Sequence, residues 1–118
     1  MCSKNTITQQ AIVNLARPES VSKVSRILHY MTHGHHVNFQ VAANELNDKH
    51  LNSTISNLRN TCGMTVRDKW IYVVGFEGSQ VRCKEYWLDN SSQNLEVIYR
   101  FLRLSGWHEG PASQNTPH

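Results

Sequence analysis

The feature that most constrains this chain is a run of apolar residues at helical spacing, interrupted once, between positions 37 and 64. The apolar residues fall into two sets, Phe39-Ala42-Ala43-Leu46 and Leu51-Ile55-Leu58-Cys62, each on one face of a helix. Asn38 is a suitable N-cap, and Gly63 stands where helices most often end. Residues 47–50 include Asn and Asp, which tolerate left-handed backbone. The pattern therefore predicts two short helices joined by a tight turn without glycine.

The opposite face of the second predicted helix has an unusual composition. It carries Ser53, Ser56, Asn57 and Asn60, with Asn52 and Arg59 on its flanks and no acid among them. Short hydrogen-bonding side chains are what a helix in the DNA major groove needs to read base edges, and carboxylates are unfavourable beside phosphates. The alternative is an ordinary solvated face. Such a face usually carries Glu and Lys, because Asn and Ser are mediocre helix formers.

After Gly63 the pattern changes from helical to extended. Residues 64–74 and 81–88 are rich in β-branched and aromatic side chains, and residues 75–80 supply a turn, so we predict a β-hairpin. A hairpin is not stable alone and must pack on the helices through Trp70, Ile71, Tyr72 or Trp87, but the sequence leaves open which face points inward. Cations alternate along both strands and could lie beside phosphates, or could simply be solubilising charges: Arg67, Lys69, Arg82 and Lys84.

The flanking segments complete the predicted domain. We predict a short helix over residues 7–16 with Thr6 as its cap, or alternatively an arm that exchanges with a partner subunit. A helix capped by Ser20 and ended by Gly34 follows, and a last helix over residues 93–104 closes the core or contacts a second copy. The predicted organisation is an N-terminal arm or helix at 1–19, one mainly α domain with a β-hairpin (α+β) at 20–104, and a disordered tail at 105–118.

The order of these signals resembles the small winged helix-turn-helix domains of phage and prophage proteins. The similarity covers residues 20–88 and is carried by a helix ending Leu-His-Tyr-Met-Thr-His-Gly at 28–34, by Ala42-Ala43, by Leu51, Ile55 and Leu58-Arg59, and by Gly63 before a strand. The resemblance implies a winged helix-turn-helix fold and a transcriptional regulator, more often a repressor or modulator.

Composition agrees with such a protein. The 118 residues suffice for one domain, and the net charge of +3 is compatible with nucleic acid without requiring it. No apolar run approaches the roughly 20 residues of a membrane span, and the N-terminus lacks the apolar core of a signal peptide. The three cysteines show no Cys-x-x-Cys spacing, which favours reduced thiols in the cytoplasm.

Other chemistry has weaker signals. His29 and His33 are four residues apart, with His35 and His36 just beyond, but no further metal ligands have a recognisable spacing. Structural histidines, or a phosphate contact by His35 or His36, are the preferred interpretations. The sequence lacks the common catalytic motifs, so we expect a binding protein without a cofactor rather than an enzyme.

We therefore predict a sequence-specific protein that binds double-stranded DNA. Ser53, Ser56, Asn57 and Asn60 are expected to contact bases, because Asn can pair with adenine through two hydrogen bonds. The backbone contacts are assigned to Lys49, Asn52, Arg59 and the four hairpin cations Arg67, Lys69, Arg82 and Lys84. One such helix covers only a few base pairs, so a homodimer on a palindrome is expected. The alternative is a module of the same fold that binds another protein.

Overall fold

The computed structural model describes residues 7–109. The helices are α1 (Gln9–Val13), α2 (Lys23–Thr32), α3 (Phe39–Glu45), α4 (Leu51–Ser56) and α5 (Ser92–Leu104). The strands are β1 (Leu15–Ala16), β2 (Val66–Val74), β3 (Gln80–Leu88) and β4 (His108–Glu109). The predicted mixed α+β class is confirmed. Among the described residues, none of the helices combines the length and the apolar character that crossing a bilayer requires.

The turns at both ends of α3 follow from local chemistry. The side chain of Asn38 accepts hydrogen bonds from the backbone N–H groups of Gln40 at 2.8 Å and Val41 at 3.0 Å, so its predicted role as N-cap is confirmed. Asn47 has a φ of 55°, the left-handed conformation expected of a turn that lacks glycine. Gly34, after α2, has a φ of 90° and ends that helix as predicted.

Helix α4 does not continue as a regular α-helix to Cys62. After Ser56 the chain widens into a π-helical segment, Asn57–Thr61, in which the N–H of Cys62 donates to the carbonyl of Asn57 at 3.1 Å. Short π segments inside helices occur often at functional sites. The polar residues predicted to share a helical face therefore lie on one element with two different pitches.

The core lies between the helices. Ile27 and Leu28 of α2, Ile55 of α4, and Ile98 and Leu102 of α5 are almost completely buried. Each buried side chain of this size stabilises the fold by about 1.5–3 kcal/mol relative to its exposed state. Helix α4 is fixed to the body through this apolar side, which leaves its other side available to solvent.

The hairpin is held to the body by backbone and side-chain bonds at its base. Strands β2 and β3 pair from Val66↔Leu88 to Val74↔Gln80, and Val37 exchanges two 2.8 Å hydrogen bonds with Tyr86 at the edge of β3. The buried Asn94 of α5 accepts from the N–H of Thr65 and donates to its carbonyl, at 2.7 and 3.0 Å. The distal end turns through Phe76–Gly78, where Glu77 and Gly78 have φ of 56° and 79°. Gly75 precedes this turn, and a Cβ there would lie 2.5 Å from Val81 Cγ2.

The hairpin register settles which residues share a face, because directly opposed residues of antiparallel strands point to the same side. We call the side that contacts α4 the inner face: Val66, Asp68, Trp70 and Tyr72 of β2 with Tyr86, Lys84 and Arg82 of β3. The outer face carries Arg67, Lys69, Glu85 and Trp87. Packing on the body uses Val66 and Tyr86, whereas Trp70 and Tyr72 lie farther out and remain exposed.

Three predicted boundaries are wrong. Helix α2 is capped by Ser22, whose Oγ accepts from Ser25 N–H at 3.2 Å, rather than by Ser20. Helix α1 is capped by Thr8 and ends at Val13, because Leu15–Ala16 pairs as a strand with His108–Glu109; the expected cap Thr6 lies outside the described residues. The start of the predicted disordered tail is ordered, since Trp107 is only 3% exposed. Residues 110–118 lie outside the described part.

Candidate functional site

The polar face of α4 and its π-helical extension forms one continuous open surface. Ser53, Ser56 and Asn60 are exposed and Asn57 is half-buried. With Asn52 and Thr61 they line a shallow depression of about 440 Å³. The structure thus brings together the four polar residues predicted for this face and Asn52 from its flank, with no acidic side chain in the lining.

Some of these side chains are hydrogen-bonded within the described chain and others are not. Asn60 Nδ2 donates to Ser56 Oγ at 3.0 Å, and Tyr86 Oη donates to Asn52 Oδ1 at 3.2 Å. For Ser53 and Asn57 no side-chain hydrogen bond joins them to another residue between positions 7 and 109. The face therefore presents amide and hydroxyl groups that can donate and accept.

The start of α4 is positioned by a buried carboxylate that the sequence analysis placed only in a turn. Asp48 is 1% exposed; its Oδ1 accepts from the N–H of His50 at 2.9 Å and its Oδ2 from Thr54 Oγ1 at 2.7 Å. The ammonium of Lys23 lies 4.0 Å away. These bonds tie the N-cap residue His50 and the helical residue Thr54 to one buried carboxylate, whereas the first turn of α4 has no side-chain cap.

Arg59, predicted to contact the DNA backbone, is hydrogen-bonded to the hairpin of its own chain. Its Nε and Nη2 donate to the carbonyl of Val66 at 3.2 and 2.5 Å, and Nη2 also lies 2.6 Å from Asp68 Oδ2. The guanidinium carbon is 5.7 Å from the centre of the Tyr86 ring. Arg59 therefore links the end of the helix to the hairpin through hydrogen bonds within the same chain. The hydrogen bond from Arg59 to Asp68 holds the pKa of the Asp68 carboxyl below its usual value.

The four predicted hairpin cations divide between the two faces. On the outer face Arg67 Nε lies 2.8 Å from Asp89 Oδ1, and Lys69 Nζ lies 3.7 Å from Glu85 Oε1. The bond from Arg67 lowers the pKa of Asp89. On the inner face Arg82 and Lys84 flank Trp70, and Lys84 also lies 3.4 Å from Asp68. Lys49 is exposed in the turn before α4.

The histidines pack among themselves and with aromatic side chains. The rings of His29 and His33 are 5.0 Å apart, His29 stacks on Trp107 at 4.2 Å, and His36 stacks on Trp87 at 4.7 Å while contacting Glu85. Burial, followed by the neighbouring His33, lowers the pKa of His29. Within residues 7–109 no group of three His, Cys, Asp or Glu side chains is arranged to hold a metal ion.

The two described cysteines show no sign of activation. Cys62 and Cys83 are half-buried free thiols, and burial raises the pKa of both. A thiol whose pKa is raised is mostly protonated at neutral pH and is a poor nucleophile.

No family model, curated protein or solved structure matches the chain.

Proposed function

We propose that the chain is a sequence-specific double-stranded DNA-binding protein of the winged helix-turn-helix type. In this proposal α3 and α4 form the helix-turn-helix, residues 51–61 lie in the major groove, and the hairpin is the wing. Ser53, Ser56, Asn57 and Asn60 contact base edges, with Lys49 and Asn52 beside the backbone.

The observation that carries the proposal is the contrast between the two sides of α4. One side is sealed by Ile55 and Leu58, and the other presents amides and hydroxyls in an open depression without a carboxylate. Such a surface pays little desolvation or repulsion when it meets a polyanion, and its groups match the donors and acceptors of base edges. The resemblance to phage and prophage regulators leads us to propose a role in transcription control, as a cytoplasmic homodimer without catalytic activity.

Selection of bound duplexes from a random pool tests the proposal. We expect a defined consensus, and a palindromic one if the protein binds as a dimer. Asn57→Ala should then weaken binding to the selected site by about 10- to 100-fold and leave binding to unrelated duplex nearly unchanged, since one good base contact contributes about 1–3 kcal/mol of discrimination. Asn90→Ala, an exposed amide in the loop before α5, is the matched control and should have no effect.

A protein-interaction module is the second candidate. It is favoured by the exposed apolar side chains at the hairpin tip and on α5, where Phe76 and Leu104 are each 83% exposed. The two functions differ in a simple measurement, because a DNA-binding protein binds random duplex at low salt and loses affinity steeply as salt rises. Absence of any such binding would favour the protein-interaction module.

A further inference from the structure

The inner face of the hairpin carries exposed aromatic rings beside cations. Trp70 is 55% and Tyr72 65% exposed, although both lie on the side that faces the helices. The register puts Lys84 opposite Trp70 and Arg82 opposite Tyr72. The guanidinium carbon of Arg82 lies 4.2 Å from the centre of the Trp70 ring, and Lys84 Nζ lies 5.2 Å from it. Neighbouring exposed apolar side chains rimmed by polar groups often mark a binding surface.

This face borders a cavity that lies next to the polar face of α4. The cavity measures about 570 Å³ and is lined by Phe39 and Leu51 from the helices and by Trp70, Arg82, Lys84 and Tyr86 from the hairpin. Asn52 belongs to its wall and also to the depression on α4. The two sites therefore adjoin at Asn52, so a DNA strand held on α4 has a short path into the cavity.

The charge of the inner face selects the kind of ligand. Asp68 is the one acid among the β2 and β3 residues of this face, and it is already bound by Arg59 and Lys84. Rings flanked by cations suit a base that stacks while its phosphate contacts the cation, the arrangement used for single-stranded nucleic acid. A paired base offers no free ring face for stacking, because both of its faces are covered in the duplex.

We propose that the inner face of the hairpin binds unpaired nucleotides of a DNA strand that continues from a duplex on α4. Bases stack on Trp70 and Tyr72, and Arg82 and Lys84 contact the adjoining phosphates. The duplex part rests on the proposed function, whereas the stacking site depends on the hairpin alone. The preferred substrate is then a duplex with a single-stranded extension rather than a blunt duplex.

Fluorescence anisotropy with three labelled DNAs tests this site. The first probe is a blunt duplex of about 20 base pairs, which is about two helical turns. The second is the same duplex with a single-stranded extension of about six thymidine nucleotides, and the third is a single-stranded thymidine oligonucleotide of about 20 nucleotides. We expect the extension to tighten binding about tenfold, consistent with stacking of one or two bases. Trp70→Ala should abolish this gain and change blunt-duplex affinity less than about twofold.

Trp87→Ala is the matched control, because Trp87 lies on the outer face and stacks on His36. The proposal is overturned if the extension gives no gain, or if Trp70→Ala keeps the gain. Self-association of the free protein that Trp70→Ala abolishes, together with no gain from the extension, would assign this face to a protein contact instead. If the blunt duplex does not bind, but the duplex with the extension binds and Trp70→Ala abolishes that binding, the stacking site is supported and the proposed duplex-binding function is contradicted.

Discussion

The polar face of α4 and the hairpin differ in how far their polar groups are already bound within the chain. On α4, the side chains of Ser53 and Asn57 make no hydrogen bond to another described residue. On the hairpin, each of the cations Arg67, Lys69 and Lys84 contacts a carboxylate of the same chain. A group that must leave an existing partner gains less from a new one. We therefore expect α4 to determine DNA sequence specificity and the hairpin cations to contribute less to the affinity.

The largest effect is expected at the start of α4. Asp48→Ala should lower the free energy of unfolding by about 2–3 kcal/mol, because the Thr54 hydroxyl and the His50 N–H lose a buried acceptor. Urea denaturation measures the change. Glu45→Ala, an exposed acid on α3, is the control and should change stability by less than about 0.5 kcal/mol. Equal effects of the two substitutions would show that Asp48 does not position α4.

Arg59→Ala should give the next largest effect, and on stability rather than directly on DNA affinity. Loss of the bonds to the Val66 carbonyl and the Asp68 carboxylate should cost about 1–2 kcal/mol. Arg59→Lys should not restore it, because Lys lacks the planar fork that spans two acceptors. Denaturation followed by hairpin tryptophan fluorescence reports the change. If Arg59→Ala leaves stability unchanged but reduces the salt dependence of DNA binding, Arg59 acts as a phosphate contact instead.

The two faces of the hairpin provide a smaller but more selective comparison. Arg82→Ala should lower the slope of log affinity against log salt by about one unit, whereas Arg67→Ala should change it much less, since Arg67 is bound to Asp89. Binding of the duplex with the single-stranded extension over a salt series measures both variants, because the proposed phosphate contact of Arg82 is to that extension. Equal slopes for Arg67→Ala and Arg82→Ala would remove the distinction between the outer and inner faces.

The smallest effect concerns the pH dependence of the helix-to-hairpin contact. The hydrogen bond from Arg59 lowers the pKa of Asp68 from its ordinary value of 3.8. The unfolded chain then binds more protons than the folded chain, so this contact stabilises fully above about pH 4 and is lost as pH falls through the lowered pKa. An NMR titration should place the Asp68 midpoint below 3.8, and Arg59→Ala should move it upward. A midpoint that Arg59→Ala leaves unchanged would contradict the assigned cause.

Features that depend on a few neighbouring residues could be predicted from the sequence. Asn38 caps α3 and Gly34 ends α2 because each function belongs to one side chain or its absence. Asn47 takes the left-handed turn conformation for the same kind of reason. The prediction of Ser20 as the cap of α2 was wrong because Ser22, two residues later, can cap a helix equally well and is the residue that does so.

Features that depend on register or on distant contacts could not be predicted. The role of Arg59 depends on which β2 residues lie beside the end of α4, which spacing along a helix does not reveal. The division of the hairpin cations between two faces required the strand pairing. Trp107 follows a Gly and precedes a Pro-containing polar segment, a context that led us to predict disorder. Its burial against His29 and the core, which the sequence does not reveal, shows that the end of the described chain is ordered.

Amide chemical shifts recorded while a selected duplex is added are the most direct test of whether the polar face of α4 contacts DNA. We expect the largest changes between Asn52 and Asn60, with smaller ones on the inner face of the hairpin. Changes confined to α5 or to the outer face, with residues 52–60 unaffected by saturating DNA, would contradict it.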